Sequence, residues 1–240
     1  GLQIIPVPAQ KVSRARKRQA RGKSDPMDAR HIGQILLSHP ELPALSVPSW
    51  LRSLKELVRT RLVLARELKA HRMRLQKMQE PLVRESLERV IEALKEEVTR
   101  LEREIARQGR ELAPSLLEVT GIGPVVAGVV LTEVGDIRRF KGEDAFASYC
   151  GAAPIFWQSG ASSVVRVNPG SNRRINWALH IIALARIRVD PTSRAFFQRK
   201  VAQGKGKRGA FRVLKTYIAR ELYRHLHSLL CSQLEPLALT

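Results

Sequence analysis

Two short segments of the sequence hold residue types that could act on a phosphodiester. The first, residues 153–163 (APIFWQSGASS), places Ser159 in a predicted loop of small residues. Three arginines follow it along the chain, namely Arg166, Arg173 and Arg174. A serine in such a loop could be a nucleophile, with the guanidinium groups neutralising the charge of the phosphate. Ser-Gly is also an ordinary turn dipeptide, so a purely structural loop stays an alternative.

The second segment is KSDPMDAR, residues 23–30, in which Asp25 precedes a proline and Asp28 follows three residues later. This spacing is typical of a helix start, where one carboxylate caps free N–H groups and the other favours the helix dipole. Residues three apart also share a helical face, so Asp25 and Asp28 could bind one Mg²⁺. Two carboxylates are too few for a two-metal site. On spacing alone the cap is favoured, and further acids would have to come from elsewhere.

A third segment, residues 119–127 (VTGIGPVVA), predicts a tight turn between two helices. Gly121 and Gly123 flank Ile122, and Pro124 stands at the preferred first position of the next helix. The pattern is that of a helix-hairpin-helix turn, whose free N–H groups can hold a phosphate without reading base sequence. Such turns also occur in pure packing roles, but the basic surroundings favour binding.

The charge distribution points to a polyanionic partner. The chain of 240 residues has 42 Lys and Arg against 22 Asp and Glu, a formal net charge of +20. Residues 160–225 hold fifteen of the basic residues and two acids, and they include Lys205, Lys207 and Arg208. Fields of a single sign mostly serve steering or nucleic-acid binding, so nucleic acid is the favoured partner. Membrane attachment ranks last, because the apolar positions follow core patterns and form no uninterrupted membrane-spanning stretch.

Helix-forming patterns dominate, so the fold is predicted to be mainly α, with the C-terminal remnant of an α/β domain at its front. Residues 1–8 are predicted to be the last strand of that domain, and 164–168 is the other strand candidate. Predicted boundaries divide the chain into residues 1–48, 49–112 and 113–240. The predicted helices span residues 25–38, 115–119, 124–134, 142–149, 171–188, 192–202 and 209–230.

Residues 51–112 consist almost wholly of good helix formers. In the second half, apolar residues recur in steps of four and three from Leu87 to Leu112, with a gap at Gln108, which is a heptad seam. Pro81 interrupts the stretch, so two helices are predicted. They either fold back as an antiparallel hairpin or pair with another chain, and both arrangements give a long coiled-coil arm. A spacer or dimerisation role is expected for the arm taken by itself.

The cysteines and the first residues of the chain indicate in which cellular compartment the protein is expected and whether an N-terminal segment is expected to be missing. Cys150 and Cys231 are too few for a disulfide framework and lack zinc-site spacing, so both are expected to be reduced, buried thiols. No signal-peptide pattern opens the chain, and a cytoplasmic, nucleoid-associated protein is expected. Gly1 is not an initiator residue, and the apolar stretch after it lacks a preceding partner strand. A missing N-terminal segment is therefore expected.

Taken in order, these segments resemble the DEDD transposases of bacterial insertion sequences, the family described as RNA-guided (bridge-RNA) recombinases. The KSDPMDAR segment is followed by the coiled coil and then by LLEVTGIG at 116–123. EVGD at 133–136 and YCGAAP at 149–154 come next, before QSG at 158–160 and GSNRR at 170–174. The similarity spans almost the whole chain, and it rests on the order and spacing of motifs that are individually weak.

The resemblance implies a RuvC-like nuclease domain, a coiled coil and a C-terminal transposase domain whose serine attacks DNA to form a covalent phosphoserine. By position, Ser159 would be the nucleophile, and Asp25 and Asp28 would be the last two acids of the DEDD set, binding Mg²⁺. The first two acids have no counterpart here, so this chain is expected to be inactive alone. The implied partners are double-stranded DNA, a structured guide RNA and further copies of the chain through the coiled coil. One departure is Thr120, which stands where the family usually has proline.

Three functions stay open at this point. The leading hypothesis is an insertion-sequence transposase that uses Ser159 as its nucleophile. The second is a catalytically inactive remnant that binds nucleic acid. The third is a resolvase-like nuclease that uses only carboxylates and metal, which predicts that no protein becomes covalently joined to DNA.

Overall fold

The computed structural model describes residues 25–40, 49–159, 162–167 and 170–234, with Val7 and Val12 as isolated positions. At Ser49, in both strands and at 230–234 it describes the backbone. The chain divides into two compact units, residues 1–48 and 49–240. The strand predicted at 1–8 lies outside the described residues apart from Val7, and so does the side chain of Cys231.

In the first unit, residues 25–40 contain the helix α1 (Asp25–Ser38). Its bounds are those predicted from the sequence. Asp25 and Asp28 both lie in its first turn, where a carboxylate is favoured by the positive end of the helix dipole. Asp25 is exposed and Asp28 is half-buried.

The second unit is mainly helical, which confirms the prediction of a mainly α fold. A single turn of 3₁₀ helix follows the fourth of its helices, at Ile137–Arg139. The helices are α2 (Ser49–Leu75), α3 (Pro81–Leu112), α4 (Pro114–Glu118), α5 (Pro124–Val134), α6 (Glu143–Tyr149), α7 (Arg173–Val189), α8 (Pro191–Ala202) and α9 (Lys207–Leu234). The described strands are β1 (Pro154–Ser159) and β2 (Ser162–Val167).

Helices α2 and α3 form the arm by folding back on each other within one chain. At the tip, the Arg84 guanidinium donates to the backbone carbonyls of Leu75 (3.2 Å) and Met78 (2.9 Å) and so closes the turn. Further down, Arg61 of α2 pairs with Glu102 of α3. The start of α3 thus contacts the end of α2, and a later part of α3 contacts an earlier part of α2. The two helices therefore run antiparallel.

The core of the second unit lies between the base of the arm and the later helices. Helix α5 is apolar along most of its length and is buried on several sides. The base of the arm contributes the buried residues Leu54, Val58 and Ile105 to this core. Cys150 is buried there as expected, and burial raises the pKa of its thiol, so it stays protonated. Within the described residues, no helix is long and apolar enough to cross a bilayer.

The loop predicted at 153–163 is the main error of the sequence-based fold, because these residues enter a β-hairpin. β1 and β2 pair antiparallel, from Pro154 opposite Val167 to Ser159 opposite Ser162. The segments IFW and VVRV are rich in aromatic and β-branched residues, which favour strands. Only residues 160 and 161 separate the two strands, which is the length of a common hairpin connection. The Ser-Gly-Ala-Ser stretch had favoured a loop over this local strand signal.

Candidate nucleic-acid interface

Ser159 is the last residue of β1 and lies at the closed end of the hairpin. Its partner across the ladder is Ser162, whereas Arg166 pairs with Ile155 nearer the open end. Four residues of extended strand span roughly 13 Å. The hairpin therefore separates Ser159 from Arg166 along its axis rather than bringing them together.

The open end of the hairpin is clamped where the chain enters and leaves it. The Asn172 N–H donates to the Tyr149 carbonyl at 2.8 Å. Gly151 has φ +67°, and a Cβ there would lie 2.5 Å from Ser171 Oγ, so only glycine fits this crossing. Asn176 Nδ2 adds a hydrogen bond of 3.0 Å to the Gly151 carbonyl. These contacts fix the open end of the hairpin, and β1 runs from there to Ser159.

Helix α9 also contacts the open end of the hairpin. Lys215 is buried, and its Nζ donates to Asn176 Oδ1 at 2.7 Å. Burial and the nearby Arg212 charge lower the pKa of Lys215. The Thr216 hydroxyl donates to the Ala152 carbonyl at 2.7 Å. Consecutive residues of α9 thus hold both the asparagine of the clamp and the backbone entering β1.

Helix α7 begins with Arg173 and Arg174 directly after the clamp. Asn172 Oδ1 caps the helix by accepting from the Arg174 N–H (3.0 Å), and its Nδ2 donates to Glu133 Oε2 and the Tyr149 hydroxyl oxygen at 2.8 Å each. The Arg174 guanidinium donates to Glu133 Oε1 at 3.1 Å, and only 10% of the Glu133 side chain is exposed. Arg174 is therefore partly neutralised, whereas Arg173 is exposed and forms no ion pair within the described residues.

The Gly-Ile-Gly turn divides into a packed half and an open half. Gly121 has φ +87°, and a Cβ there would lie 3.0 Å from the Ile182 carbonyl oxygen on α7. Ile122 is buried, and its N–H donates to the Val119 carbonyl at 3.0 Å. Gly123 is exposed, caps α5 without a side chain, and has open space at its Cβ position. Of the three predicted contact residues, Gly121 and Ile122 shape the turn, and Gly123 faces outward with the first turn of α5.

Arg186 of α7 fastens this turn to the rest of the unit. Its Nε donates to the Thr120 carbonyl at 2.9 Å, and its two terminal nitrogens donate to the two Glu221 oxygens at 2.7 and 2.8 Å. Arg186 is 9% exposed. The hydrogen bonds from Arg186 lower the pKa of Glu221. One helix therefore carries Arg173 and Arg174 at its start and the anchor of the glycine turn in its second half.

The predicted contacts Lys205, Lys207 and Arg208 lie where α8 gives way to α9, and all three are exposed. Lys207 and Arg208 are the first two residues of α9, as Arg173 and Arg174 are of α7, and neither helix has an acid in its first turn. Cations at a helix start are disfavoured by the dipole. Two helices that both start this way point to an anionic partner.

Asp25 and Asp28 provide carboxylate oxygens, the ligand type that Mg²⁺ prefers. Both lie in the first turn of α1 and are at least partly accessible. They would supply two ligands of the several that the ion needs. Within the residues that the structure describes, no group of three or more His, Cys, Asp and Glu could hold a metal.

Sequence reasoning gave no role to Glu133, Tyr149, Asn172 or Arg186. Two signals were present. Asn172 stands immediately before a helix, as capping residues do. Arg186 lies in a mostly apolar helix stretch, and Glu221 is one of only two acids in residues 160–225, so an ion pair between them could have been inferred. The contacts of Glu133 with Asn172 and Arg174 carry no local signature.

Comparison with known proteins gives two family matches. Residues 113–198 match the model described as "Transposase IS116/IS110/IS902 family", and residues 1–80 match the DEDD model of IS110, described as "Transposase". The first match begins beside Pro114, where α4 starts.

Three relatives are similar over part of the chain. The insertion element IS110 43.6 kDa protein of Streptomyces coelicolor is 37% identical over 94 residues, 39% of this chain and 23% of that protein. A mini-circle protein of the same organism, whose name proposes it as the transposase for IS117, is 32% identical over 114 residues (47% and 28%). The IS900 42 kDa protein of Mycobacterium paratuberculosis is 34% identical over 95 residues (39% and 24%). The matched segments thus cover about a quarter of the length of these relatives.

Proposed function

The chain belongs to the IS110/IS116/IS902 family of transposases, and we propose that it binds duplex DNA and takes part in DNA strand exchange through Ser159. The binding part rests on the exposed cations of α7, α9 and the turn before α9. The catalytic part rests on family membership and on the position of Ser159 at the end of a strand that is clamped at its base.

The observation that carries the binding proposal is the arrangement of charge at the helix starts. Arg173, Lys205, Lys207 and Arg208 are exposed and form no ion pair within the described residues. Neutralising these groups with phosphates releases counterions, which supplies affinity without reading sequence. Gly123 is exposed at the start of α5, and the N–H groups of a helix start, which lack partners within the helix, could hold a phosphate there.

In the proposed chemistry, Ser159 Oγ attacks the phosphorus of a phosphodiester. A bond forms between Oγ and phosphorus while the bond from phosphorus to one sugar oxygen breaks. The serine hydroxyl loses its proton, and the departing sugar oxygen gains one. The product is a phosphoserine that conserves the energy of the broken ester for rejoining.

The family also supports use of a divalent metal. Asp25 and Asp28 are the residues of this chain that would hold Mg²⁺. A bound Mg²⁺ supplies charge neutralisation at a phosphate oxygen. The role proposed for the two aspartates is to bind and orient that ion through their carboxylates.

A structured guide RNA and further copies of the chain are the other proposed partners. The outer part of the arm supports self-association, because apolar side chains on it remain 40 to 66% exposed, as at Val83 and Leu82. Sedimentation equilibrium should reveal an oligomer that Leu82→Glu weakens. An unchanged oligomer in this variant would remove the arm from the contact.

Duplex binding is tested by fluorescence anisotropy with a labelled duplex at salt concentrations from about 50 to 200 mM. Several phosphate contacts predict an affinity that falls steeply over this range, with about 0.9 units of log-log slope lost for each contact removed. Binding that does not change with salt would contradict the electrostatic basis of the proposal.

Serine chemistry is tested at its first step, the attack on one DNA strand, which is separate from complete strand exchange. The chain is incubated with a nicked, end-labelled duplex and Mg²⁺, and the products are resolved on a denaturing gel. The proposal predicts a labelled protein band that Ser159→Ala abolishes while duplex affinity stays unchanged. Ser163→Ala, four positions later on β2, is the matched control and should keep the band. Strand cleavage without any adduct would favour the carboxylate-and-metal nuclease, and duplex binding with neither product would favour the inactive nucleic-acid-binding remnant.

A further inference from the structure

Exposed aromatic and apolar residues lie among the cations of α7. One face of this helix carries five residues spaced by three or four positions, which we term the α7 stripe: Arg173, Trp177, His180, Leu184 and Arg188. All five are exposed, with Trp177 at 37% and Leu184 at 44%. The opposite face of α7 is buried in the core. The stripe is therefore a free surface of a helix that is otherwise fixed by packing.

The stripe adjoins the start of α9. The His180 ring lies 4.8 Å from the Phe211 ring, and Phe211 lies 6.5 Å from Phe197 of α8. Lys207 precedes Phe211 by four residues, so the two share a face of α9. The His180 ring thus connects α7 with Phe211 near the basic start of α9, and Trp177 lies one turn before His180 on the same face of α7.

Neither packing nor simple hydration accounts for this surface. The only two acids in residues 160–225 are committed elsewhere. The Asp190 carboxylate accepts from the N–H groups of Thr192 and Ser193 at the start of α8, and Glu221 is held by Arg186. Arg173, Lys205, Lys207 and Arg208 therefore form no ion pair in the described part of the chain, and the partly exposed indole of Trp177 lies one turn after Arg173 on α7.

We propose that the α7 stripe binds unpaired nucleotides, with a base stacked on Trp177 and the adjoining phosphates held by Arg173 and the cations at the start of α9. A base exposes its face only outside a double helix, so aromatic side chains select single strands, loops and bulges over duplex. Stacking tolerates every base, so the surface does not select sequence. This inference rests on the proposed nucleic-acid binding and adds the type of strand that the surface takes.

The test uses the whole chain and three labelled probes of mixed sequence: a single-stranded DNA, a single-stranded RNA and a duplex DNA. Trp177→Ala is expected to weaken binding of both single strands by roughly 5- to 100-fold and to leave duplex affinity within about twofold. RNA and DNA strands should lose the same factor, because stacking does not involve the 2′-hydroxyl. The salt dependence of single-strand binding should not change, because the phosphate contacts remain.

Trp50→Ala is the matched control, because Trp50 is also a half-exposed tryptophan (42%) but lies at the start of α2. It should leave all three affinities unchanged. Trp177→Phe should recover much of the single-strand binding, because a phenyl ring still stacks. Circular dichroism of each variant establishes that the helices remain.

Three outcomes would overturn the inference. Trp177→Ala could leave single-strand binding unchanged, it could weaken duplex and single-strand binding equally, or the unaltered chain could bind anionic lipid vesicles, added as a fourth probe, more tightly than either single strand. If the unaltered chain binds a duplex with steep salt dependence and Trp177→Ala has no effect, only this inference fails. If the unaltered chain binds none of the nucleic-acid probes, the proposed function fails with it.

Discussion

The arm and the α7–α9 region use the same charged residue types in opposite ways. On α3 of the arm, acids and bases three residues apart pair within one exposed helix: Glu92 with Lys95 (2.9 Å), Glu97 with Arg100 (2.6 Å) and Glu104 with Arg107 (2.6 Å). In α7–α9, Asp190 caps the start of α8 and Glu221 pairs with Arg186 of another helix, and the remaining charged side chains are positive.

Charged residues thus keep the arm soluble, whereas those of α7–α9 leave a positive surface for a partner. Pairs on the arm keep a long helix soluble and add a few tenths of a kcal/mol each at most, because water and salt screen them. A surface whose two acids already accept hydrogen bonds within the fold keeps an excess of positive charge. This excess is electrostatically unfavourable by itself, and bound phosphates would relieve it. The comparison predicts that charge changes on the arm alter little, whereas equivalent changes in α7–α9 alter either stability or binding.

The largest effect is expected from Arg186→Met. This change removes a nearly buried guanidinium that joins the Thr120 carbonyl to Glu221. Breaking such a group is strongly destabilising, and because Glu221 is half-exposed we expect a loss of about 2–3 kcal/mol in the free energy of unfolding. Urea denaturation followed by circular dichroism measures it. Arg107→Met on the arm is the control and should not shift the midpoint, and equal effects of the two changes would abolish the comparison.

The second prediction concerns the packing of the Gly-Ile-Gly turn that Arg186 holds in place. Gly121→Ala combines a positive φ with a Cβ placed 3.0 Å from the Ile182 carbonyl oxygen, so we expect a loss of about 1–3 kcal/mol. Gly123→Ala meets no atom within 4 Å and should leave stability nearly unchanged. Thermal unfolding of both variants checks this. Should Gly123→Ala prove the more destabilising, the division of the turn into packed and open halves would be wrong.

The third prediction concerns binding. The double variant Lys207→Gln, Arg208→Gln should weaken duplex binding about tenfold and reduce the slope of log affinity against log salt by about 1.8, if each side chain contacts one phosphate. The double variant Lys95→Gln, Arg100→Gln on the arm also removes two charges, so it is the matched control. It should change neither value, because those cations are already paired with glutamates. Equal losses in both variants would mean that net charge alone, and not the helix starts, governs affinity.

The helices could be read from the sequence because their signals are local. A proline at the first or second position marks the starts of α1 and α5, and both helices were predicted with the observed bounds. The hairpin was missed because its turn contains small residues that are equally typical of a loop. The contacts that organise the site could not be predicted by spacing: Glu133 and Arg174 are 41 residues apart, and Arg186 is 66 residues from Thr120. Only tertiary packing brings such groups together.

The smallest expected effect is a pH dependence of the free energy of unfolding, to which Glu221 of α9 should contribute and Glu104 of the arm should not. Hydrogen bonds from Arg186 lower the pKa of Glu221 in the folded chain. A carboxyl with a lowered folded pKa stabilises the fold above its unfolded pKa, and this contribution is lost as the pH falls through the folded value. We therefore expect the free energy of unfolding to decline below the ordinary glutamate pKa, by less than about 1 kcal/mol from this half-exposed group.

The control for this pH effect is Glu104 on the arm. Hydrogen bonds from Arg107 and Gln108 lower its pKa to about 2, but the Glu104–Arg107 pair lies at the surface, with 37% and 54% of the two side chains exposed, and is screened by solvent. Urea titrations at several pH values should therefore show a flatter acid limb for Glu221→Gln and an unaltered one for Glu104→Gln. If Glu104→Gln flattened the limb more than Glu221→Gln, the arm would depend on its surface pairs, and the contrast between a charge-balanced spacer and a binding surface would have to be abandoned.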